Sequence, residues 1–139
     1  MPAILFVDDN EEILTVGKLF LEGSGTMTVD TATSATMAIR KLNRGKYDAI
    51  LSGNHPPVLN GIRFLHYVRN AYGDIPFILF TGDDTQEIFT EALEGGVDYC
   101  IVKSFEPKHQ FMTLGFMLRH VIELKRTRDK QRKPQEQEK

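Results

Sequence analysis

Residues 3–10, AILFVDDN, decide the fold of this 139-residue chain. Five consecutive apolar residues stop abruptly at Asp8, Asp9 and Asn10. An apolar run without alternation is typical of a strand that is covered on both faces of a parallel sheet. The stretch therefore predicts a buried first strand with polar side chains at its carboxyl end.

The rest of the chain repeats this unit, because short apolar runs alternate with longer segments of helical periodicity. Further strands are predicted at 27–32, 47–52, 76–81 and 98–102. Helices are predicted at 11–22, 34–43, 61–72 and 84–93, and from 107 to about 133. Five strands alternating with five helices indicate an α/β fold of (βα)5 type, in which a parallel sheet lies between two helical layers.

Length and composition are those of one globular domain, with 41% hydrophobic and 26% charged residues. We assign residues 1–125 to this domain and residues 126–139 to a basic helical extension and tail. Residues 131–139 contain no apolar residue, so this end of the chain is predicted to be disordered.

The charge of the chain is unevenly distributed. With 17 basic and 19 acidic residues the net charge is −2, which excludes a bulk nucleic-acid or membrane binder. Residues 1–118 carry 9 basic and 15 acidic side chains (−6), whereas residues 119–139 carry 8 and 4 (+4). The basic end suits a solvated helix terminus or a connector that binds a partner. Nucleic-acid binding is not expected there, because no aromatic side chains are present for stacking.

The sequence favours a cytoplasmic protein. Its N-terminal residues lack the basic region and cleavage site of a signal peptide. The apolar runs are too short to span a bilayer. A single cysteine, Cys100, excludes an internal disulfide and suits a reducing compartment.

Polar residues follow four of the predicted strands, at the edge where parallel sheets bind ligands. Asp8 and Asp9 follow the first strand, and later strands are followed by Asn54, His55, Thr81, Asp83, Asp84, Lys103 and Ser104. Carboxylate oxygens suit Mg²⁺, which takes one or two carboxylates together with water and phosphate oxygens. Thr81 and Lys103 are placed to hydrogen-bond an anion beside the metal.

Plainer explanations exist for each of these residues. Asp9 and Glu12 have the spacing of a capping pair for the first helix. Lys103 alone is typical of a solvated loop lysine, and Thr81 of a strand-end hydroxyl. A small α/β enzyme or nucleotide-binding protein is a further alternative, although no G-x-G-x-x-G follows the first strand and no G-x-x-x-x-G-K-[ST] occurs anywhere.

Several short motifs together resemble the receiver domains of two-component response regulators. The matching positions are 6–10 (FVDDN), 47–52 (YDAILS), Pro57 and Gly61, Thr81-Gly82, and Asp98-Tyr99 ahead of Lys103. They agree in order and spacing over residues 2 to about 125. The resemblance implies a flavodoxin-like fold with strand order 2-1-3-4-5. It also implies a non-enzymatic signalling module whose partner is a histidine kinase or another signalling protein.

The resemblance also implies roles for the strand-end residues. In receivers an aspartate at the end of the third strand accepts a phosphoryl group from a kinase histidine. By position, Asp8 and Asp9 correspond to the Mg²⁺ ligands, and the backbone carbonyl of His55 corresponds to a third ligand. Thr81 and Lys103 correspond to the residues that bind the phosphoryl oxygens.

This chain departs from the family at the acceptor position itself, eight residues before Gly61, which is Gly53. Glycine has no carboxylate to phosphorylate, so the sequence predicts a receiver with a vacant phosphoacceptor position. Ser104 stands where the family usually has proline, and Cys100 where it usually has an aromatic switch residue. Tyr99 is one position away and is therefore expected on the opposite face of its strand.

Two physical consequences follow from the vacant position. The Mg²⁺ site should be weakened, because fewer anionic oxygens compensate for dehydration of the ion. Lys103 should turn to Asp8 or Asp9 and partly occupy the metal's place. The sequence leaves open whether Gly53 is natural or replaces the aspartate of an ordinary phosphorelay receiver. A homodimer through the last two helices and the fifth strand is a further expectation from the family.

Overall fold

The structure, a computed structural model, describes residues 1–104 and 106–137, with side chains up to Arg132. The strands are β1 (Ala3–Val7), β2 (Thr28–Ala32), β3 (Ala49–Asn54), β4 (Phe77–Thr81) and β5 (Tyr99–Val102). The helices are α1 (Glu11–Gly23), α2 (Ala35–Arg44), α3 (Gly61–Tyr72), α4 (Gln86–Glu94) and α5 (Pro107–Gln137). All ten predicted elements are confirmed, most with ends shifted by one or two residues.

The sheet is parallel throughout, with strand order β2-β1-β3-β4-β5. Two apolar clusters cover its faces. One joins the sheet to α1 and α5 around Phe6, Leu114 and Leu118, and the other joins it to α2, α3 and α4 around Leu5 and Leu65. This arrangement confirms the predicted three-layer flavodoxin-like fold.

β3 lies two residues further along the chain than its apolar run predicts. Gly53 and Asn54 were expected in the following loop, but they pair in register with Phe80 and Thr81 of β4. A Cβ atom on Gly61 would overlap the backbone oxygen of Gly53. The first residue of α3 therefore packs directly on the end of β3, and only glycine allows this approach.

The outer edge of β2 is covered by side chains from the neighbouring helices. Glu22 accepts a hydrogen bond from the Val29 N–H at 2.9 Å, and Lys18 donates to the Val29 carbonyl. Lys41 donates to the Thr31 carbonyl at 2.6 Å. Backbone groups that would otherwise face solvent at this sheet margin are thus bonded within the chain.

The C-terminal helix continues beyond the predicted domain. α5 reaches Gln137, so residues 131–137 are helical where disorder was predicted; Glu138 and Lys139 lie outside the described residues. The extension is built largely from Lys, Arg, Gln and Glu, which are good helix formers. The domain boundary near residue 125 stays a prediction. Within the described ranges, no helix is both long and apolar enough to cross a bilayer.

The guanidinium of Arg69 holds two loops at the amino edge of the sheet. It donates to the carbonyls of Gly73 and Ile75 at 2.9 and 2.7 Å, and to that of Gly96 at 2.8 and 3.1 Å. Arg69 thereby fixes both the α3–β4 loop and the α4–β5 turn.

We expect Arg69→Met to lower the free energy of unfolding by about 2 kcal/mol, because three carbonyls, of which that of Ile75 is partly buried, lose their donor. Arg63→Met is the matched control, since Arg63 is an exposed arginine of the same helix and should change stability by no more than about 0.5 kcal/mol. Urea unfolding followed by circular dichroism measures both. Equal losses in the two variants would contradict the role of Arg69.

Candidate functional site

Residues from four strand ends line a cavity of about 610 Å³ at the carboxyl edge of the sheet. Its polar lining includes Asp8, Asp9, His55 and Lys103. These four residues were all predicted from the sequence. Gly53 and Thr81, also predicted, lie at the ends of β3 and β4 beside the cavity.

The Asp8 carboxylate is completely buried, and each of its two oxygens accepts a hydrogen bond. One oxygen accepts the backbone N–H of Asn10 at 2.9 Å, and the other accepts the Lys103 ammonium at 2.8 Å. Its backbone N–H donates to the Ala32 carbonyl at 3.0 Å, which anchors the turn after β1 to β2. The predicted ion pair between Lys103 and a strand-end aspartate is confirmed, and the partner is Asp8.

Both the backbone and the ammonium group of Lys103 are held by contacts. Its backbone N–H donates to the Thr81 carbonyl at 2.7 Å, and its ammonium lies 5.4 Å from the centroid of the Phe80 ring. The side chain is 24% exposed. A lysine with a buried carboxylate partner and an aromatic neighbour is not the solvated loop lysine of the plainer explanation.

The second carboxylate of the pair, Asp9, contacts His55. Their Oδ2 and Nδ1 atoms are 2.7 Å apart, with Asp9 20% and His55 68% exposed. The alternative role of Asp9 as the cap of α1 is wrong, because Asn10 caps that helix by accepting the N–H groups of Glu12 and Ile13. Asp9 is thereby left free to face the strand-end cavity.

Thr81 is buried, and its hydroxyl accepts the backbone N–H of Asp83 at 3.0 Å. Asp83 in turn accepts the N–H of Thr85, which caps α4. The hydroxyl predicted to bind an anion thus also helps to shape the β4–α4 loop.

The Asp8 carboxylate lies over Gly53. A Cβ atom on Gly53 would be 2.6 Å from Asp8 Oδ2 and 3.1 Å from Asp8 Cγ, well inside van der Waals contact. The carboxylate above this position is therefore that of Asp8, which follows β1. It can lie there only because Gly53 has no side chain. Lys103, Asp8 and Gly53 form one packed unit, which we call the Asp8–Lys103 lock.

The residues predicted to hold Mg²⁺ already have partners within the chain in this arrangement. Asp8 is paired with the ammonium of Lys103, and Asp9 is in hydrogen-bond contact with His55. The carbonyl of His55 already accepts the N–H of Leu59 at 2.9 Å. In the part of the chain that the structure describes, no three His, Cys, Asp or Glu side chains come together in a metal-binding group.

The remaining departures from the family pattern have clear positions. Tyr99 packs in the α1/α5 cluster and Cys100 in the opposite one, which confirms that they face opposite sides. Burial raises the pKa of the Cys100 thiol, so it is not an activated nucleophile. Ser104 keeps an N–H that proline would lack, and this group donates to Gln110 at 2.7 Å.

Sequence reasoning missed the apolar part of the cavity. Ile13, Pro56 and Ile88 line it from α1, the β3–α3 loop and α4. Asn54 also lines it, while its side-chain oxygen accepts the N–H of Gly61 at 2.8 Å. The sequence does not indicate that Ile13 and Ile88 line a cavity, because apolar residues of helices normally face the core.

Comparison with known proteins agrees with this geometry. Residues 4–113 match the family model of the response regulator receiver domain. The transcriptional regulatory protein PrrA of Mycobacterium tuberculosis is 30% identical over 104 residues, which are 75% of this chain and 44% of PrrA. Chemotaxis protein CheY-3 of Vibrio cholerae is 28% identical over 104 residues, 73% of this chain and 80% of that protein. The chain thus spans less than half of PrrA and most of CheY-3.

Solved structures give the same result. A CheY-like receiver domain protein from Methanospirillum hungatei superposes with a TM-score of 0.75 at 25% identity, covering 86% of this chain and 95% of that one. Response regulator TrrA of Thermotoga maritima, solved with Mg²⁺ and BeF, gives a TM-score of 0.70 at 26% identity, covering 82% and 96%. These matches do not support the alternative of a small nucleotide-binding protein. From its fold, its strand-end residues and these similarities, the chain belongs to the response regulator receiver domain family.

Proposed function

We propose that this receiver domain signals through protein contacts without accepting a phosphoryl group on β3. Receiver domains take part in two-component signal transduction and are generally not enzymes. The observation that carries the proposal is the Asp8–Lys103 lock, in which the Asp8 carboxylate packs over Gly53 at the acceptor position.

The charge balance of the site supports this proposal. A phosphoryl group needs a carboxylate to attach to, and Gly53 offers none. The ammonium of Lys103, which would stabilise phosphoryl oxygens, is 2.8 Å from a fully buried carboxylate. Because breaking a buried ion pair is costly, the lock holds Lys103 away from an incoming anion.

The same contacts lead us to expect that Mg²⁺ binds only weakly. The ion would have to displace Lys103 from Asp8 or His55 from Asp9, and it would find two carboxylates and no third. We expect any Mg²⁺ to be held through Asp8, Asp9 and the His55 carbonyl, with much lower affinity than in a receiver that has its acceptor aspartate.

We expect a histidine kinase or another signalling protein as the partner and the cytoplasm as the compartment. A homodimer through α4, β5 and α5 stays a prediction. Leu93 of α4 and Leu124 of α5 are exposed apolar side chains on two of these elements.

The test is incubation of the purified chain with a small acyl phosphate and Mg²⁺, followed by intact mass measurement. No adduct is expected, whereas a receiver that carries the acceptor aspartate should gain one phosphoryl group in the same experiment. A stoichiometric adduct on this chain would overturn the proposal. Magnesium titration by calorimetry should likewise give no saturable heat at concentrations that fill the control receiver.

A further inference from the structure

The extension of α5 carries a basic surface at the amino edge of the sheet, away from the strand-end site. Lys125, Arg128 and Arg132 are spaced i, i+3 and i+7 along this helix, so they share one side of it. All three approach Asp74 in the α3–β4 loop. We call these three cationic residues the basic face.

Asp74 makes a close ion pair with only one of the three residues of the basic face. Lys125 Nζ is 3.1 Å from Asp74 Oδ1, and this contact holds the pKa of Asp74 below its ordinary value. The nearest nitrogens of Arg128 and Arg132 are 3.8 and 3.6 Å from Asp74 Oδ2, beyond the roughly 2.7–2.9 Å of a charge-assisted hydrogen bond. Oδ2 is buried and makes no hydrogen bond among the described residues.

The arginines of the basic face remain accessible. Their side chains are 43% exposed for Arg128 and 58% for Arg132. A guanidinium presents a planar fork that matches a carboxylate through two parallel hydrogen bonds, and Asp74 supplies neither arginine with such a pair. The α3–β4 loop cannot easily move closer, because Arg69 holds the carbonyls on both sides of Asp74.

We propose that the basic face of α5 binds an acidic segment of another protein, whose carboxylates replace Asp74 on Arg128 and Arg132. The face already binds carboxylates, those of Asp74 and of Asp129, which is 3.0 Å from Lys125. The segment would add the bidentate contacts that a single loop aspartate cannot make. This surface is separate from the strand-end cavity, so the proposal does not depend on the phosphorylation state of the domain.

Other polyanions fit the basic face less well. A nucleic acid carries a phosphate at each nucleotide and would meet both Asp74 and Asp129 along the same face. An anionic membrane calls for an amphipathic helix with an apolar face, and residues 125–132 contain no apolar side chain. An acidic protein segment can instead place its carboxylates selectively.

The test measures binding of a fluorescent glutamate-rich peptide to the full chain by anisotropy at physiological salt. Arg128→Gln/Arg132→Gln should weaken binding by about tenfold, because two charge-assisted contacts are lost. Arg126→Gln/Lys130→Gln removes the same charge from another side of α5 and should weaken it by no more than about threefold. Asp74→Asn should strengthen it by about fivefold, since the internal competitor is gone.

Three results would overturn the proposal. Equal losses in the two double variants would show that only overall charge matters. No gain with Asp74→Asn would remove the role of Asp74 as a displaced carboxylate. A short duplex DNA that binds more tightly than the peptide, with the same dependence on Arg128 and Arg132, would assign the face to nucleic acid. Circular dichroism of each variant establishes that α5 remains helical.

Discussion

Replacing Gly53 by aspartate should give a domain that takes up one phosphoryl group from a small acyl phosphate in the presence of Mg²⁺. The new carboxylate would attack phosphorus, form an acyl phosphate on β3 and release the carboxylate of the donor. A Cβ at this position meets Asp8 Oδ2 at 2.6 Å, so Asp8 must rotate and release Lys103. The substitution thus supplies the acceptor and opens the Asp8–Lys103 lock together. Intact mass measurement should show a change from no adduct to a nearly stoichiometric one.

The matched control is Gly53→Asn, which adds a side chain of the same size without a nucleophilic carboxylate. It should also open the lock but should gain no phosphoryl group. If Gly53→Asp folds and remains unphosphorylated, Thr81 and Lys103 are not placed for phosphoryl transfer, and the site has changed beyond position 53. A gain would instead favour descent from, or alteration of, an ordinary phosphorelay receiver.

Replacing Lys103 by methionine should produce the largest loss of stability among single substitutions at the site. Asp8 is fully buried, and removing its cation leaves a buried carboxylate that only the Asn10 N–H satisfies. Loss of one partner from such a pair costs about 3–5 kcal/mol. Urea unfolding monitored by circular dichroism should show this loss, whereas Lys108→Met, at an exposed lysine in the first turn of α5, should change stability by less than about 0.5 kcal/mol.

A double-substitution cycle separates the ion pair from the loss of packing. Asp8→Asn combined with Lys103→Met removes both charges and should recover most of the stability, because a neutral pair of similar shape leaves no buried charge. If the double variant is as unstable as Lys103→Met alone, the contribution of Lys103 comes from its contact with Phe80 and not from the lock.

The order of the elements was predictable because each depends on a local pattern. Apolar runs such as residues 3–7 mark buried strands, and Gly61 marks the start of α3. The limits of β3 were not predictable, because Gly53 and Asn54 join the strand only through their pairing with β4. Strand propensity argues against both residues, and tertiary pairing outweighs it.

The site was predictable as a set of strand-end residues, but not in its contacts. The neighbours Asp9 and Asn10 are both good helix caps, and only the fold decides that Asn10 caps α1 while Asp9 meets His55. The separation of Lys103 and Asp8 along the chain does not give their distance in space, although the missing acceptor did predict that Lys103 would pair with Asp8 or Asp9. The contact of Asp74 with α5 joins residues more than fifty positions apart, beyond any local pattern.

The covered margin of β2 has a consequence for the behaviour of the domain in crowded solution. A bare outer strand can template the addition of foreign chains and so begin fibril growth. Because Glu22, Lys18 and Lys41 occupy its amide and carbonyl groups, a passing segment would have to break charged contacts before it could add on. The polar side chains that attach α1 and α2 to β2 therefore also protect the domain against aggregation through this edge.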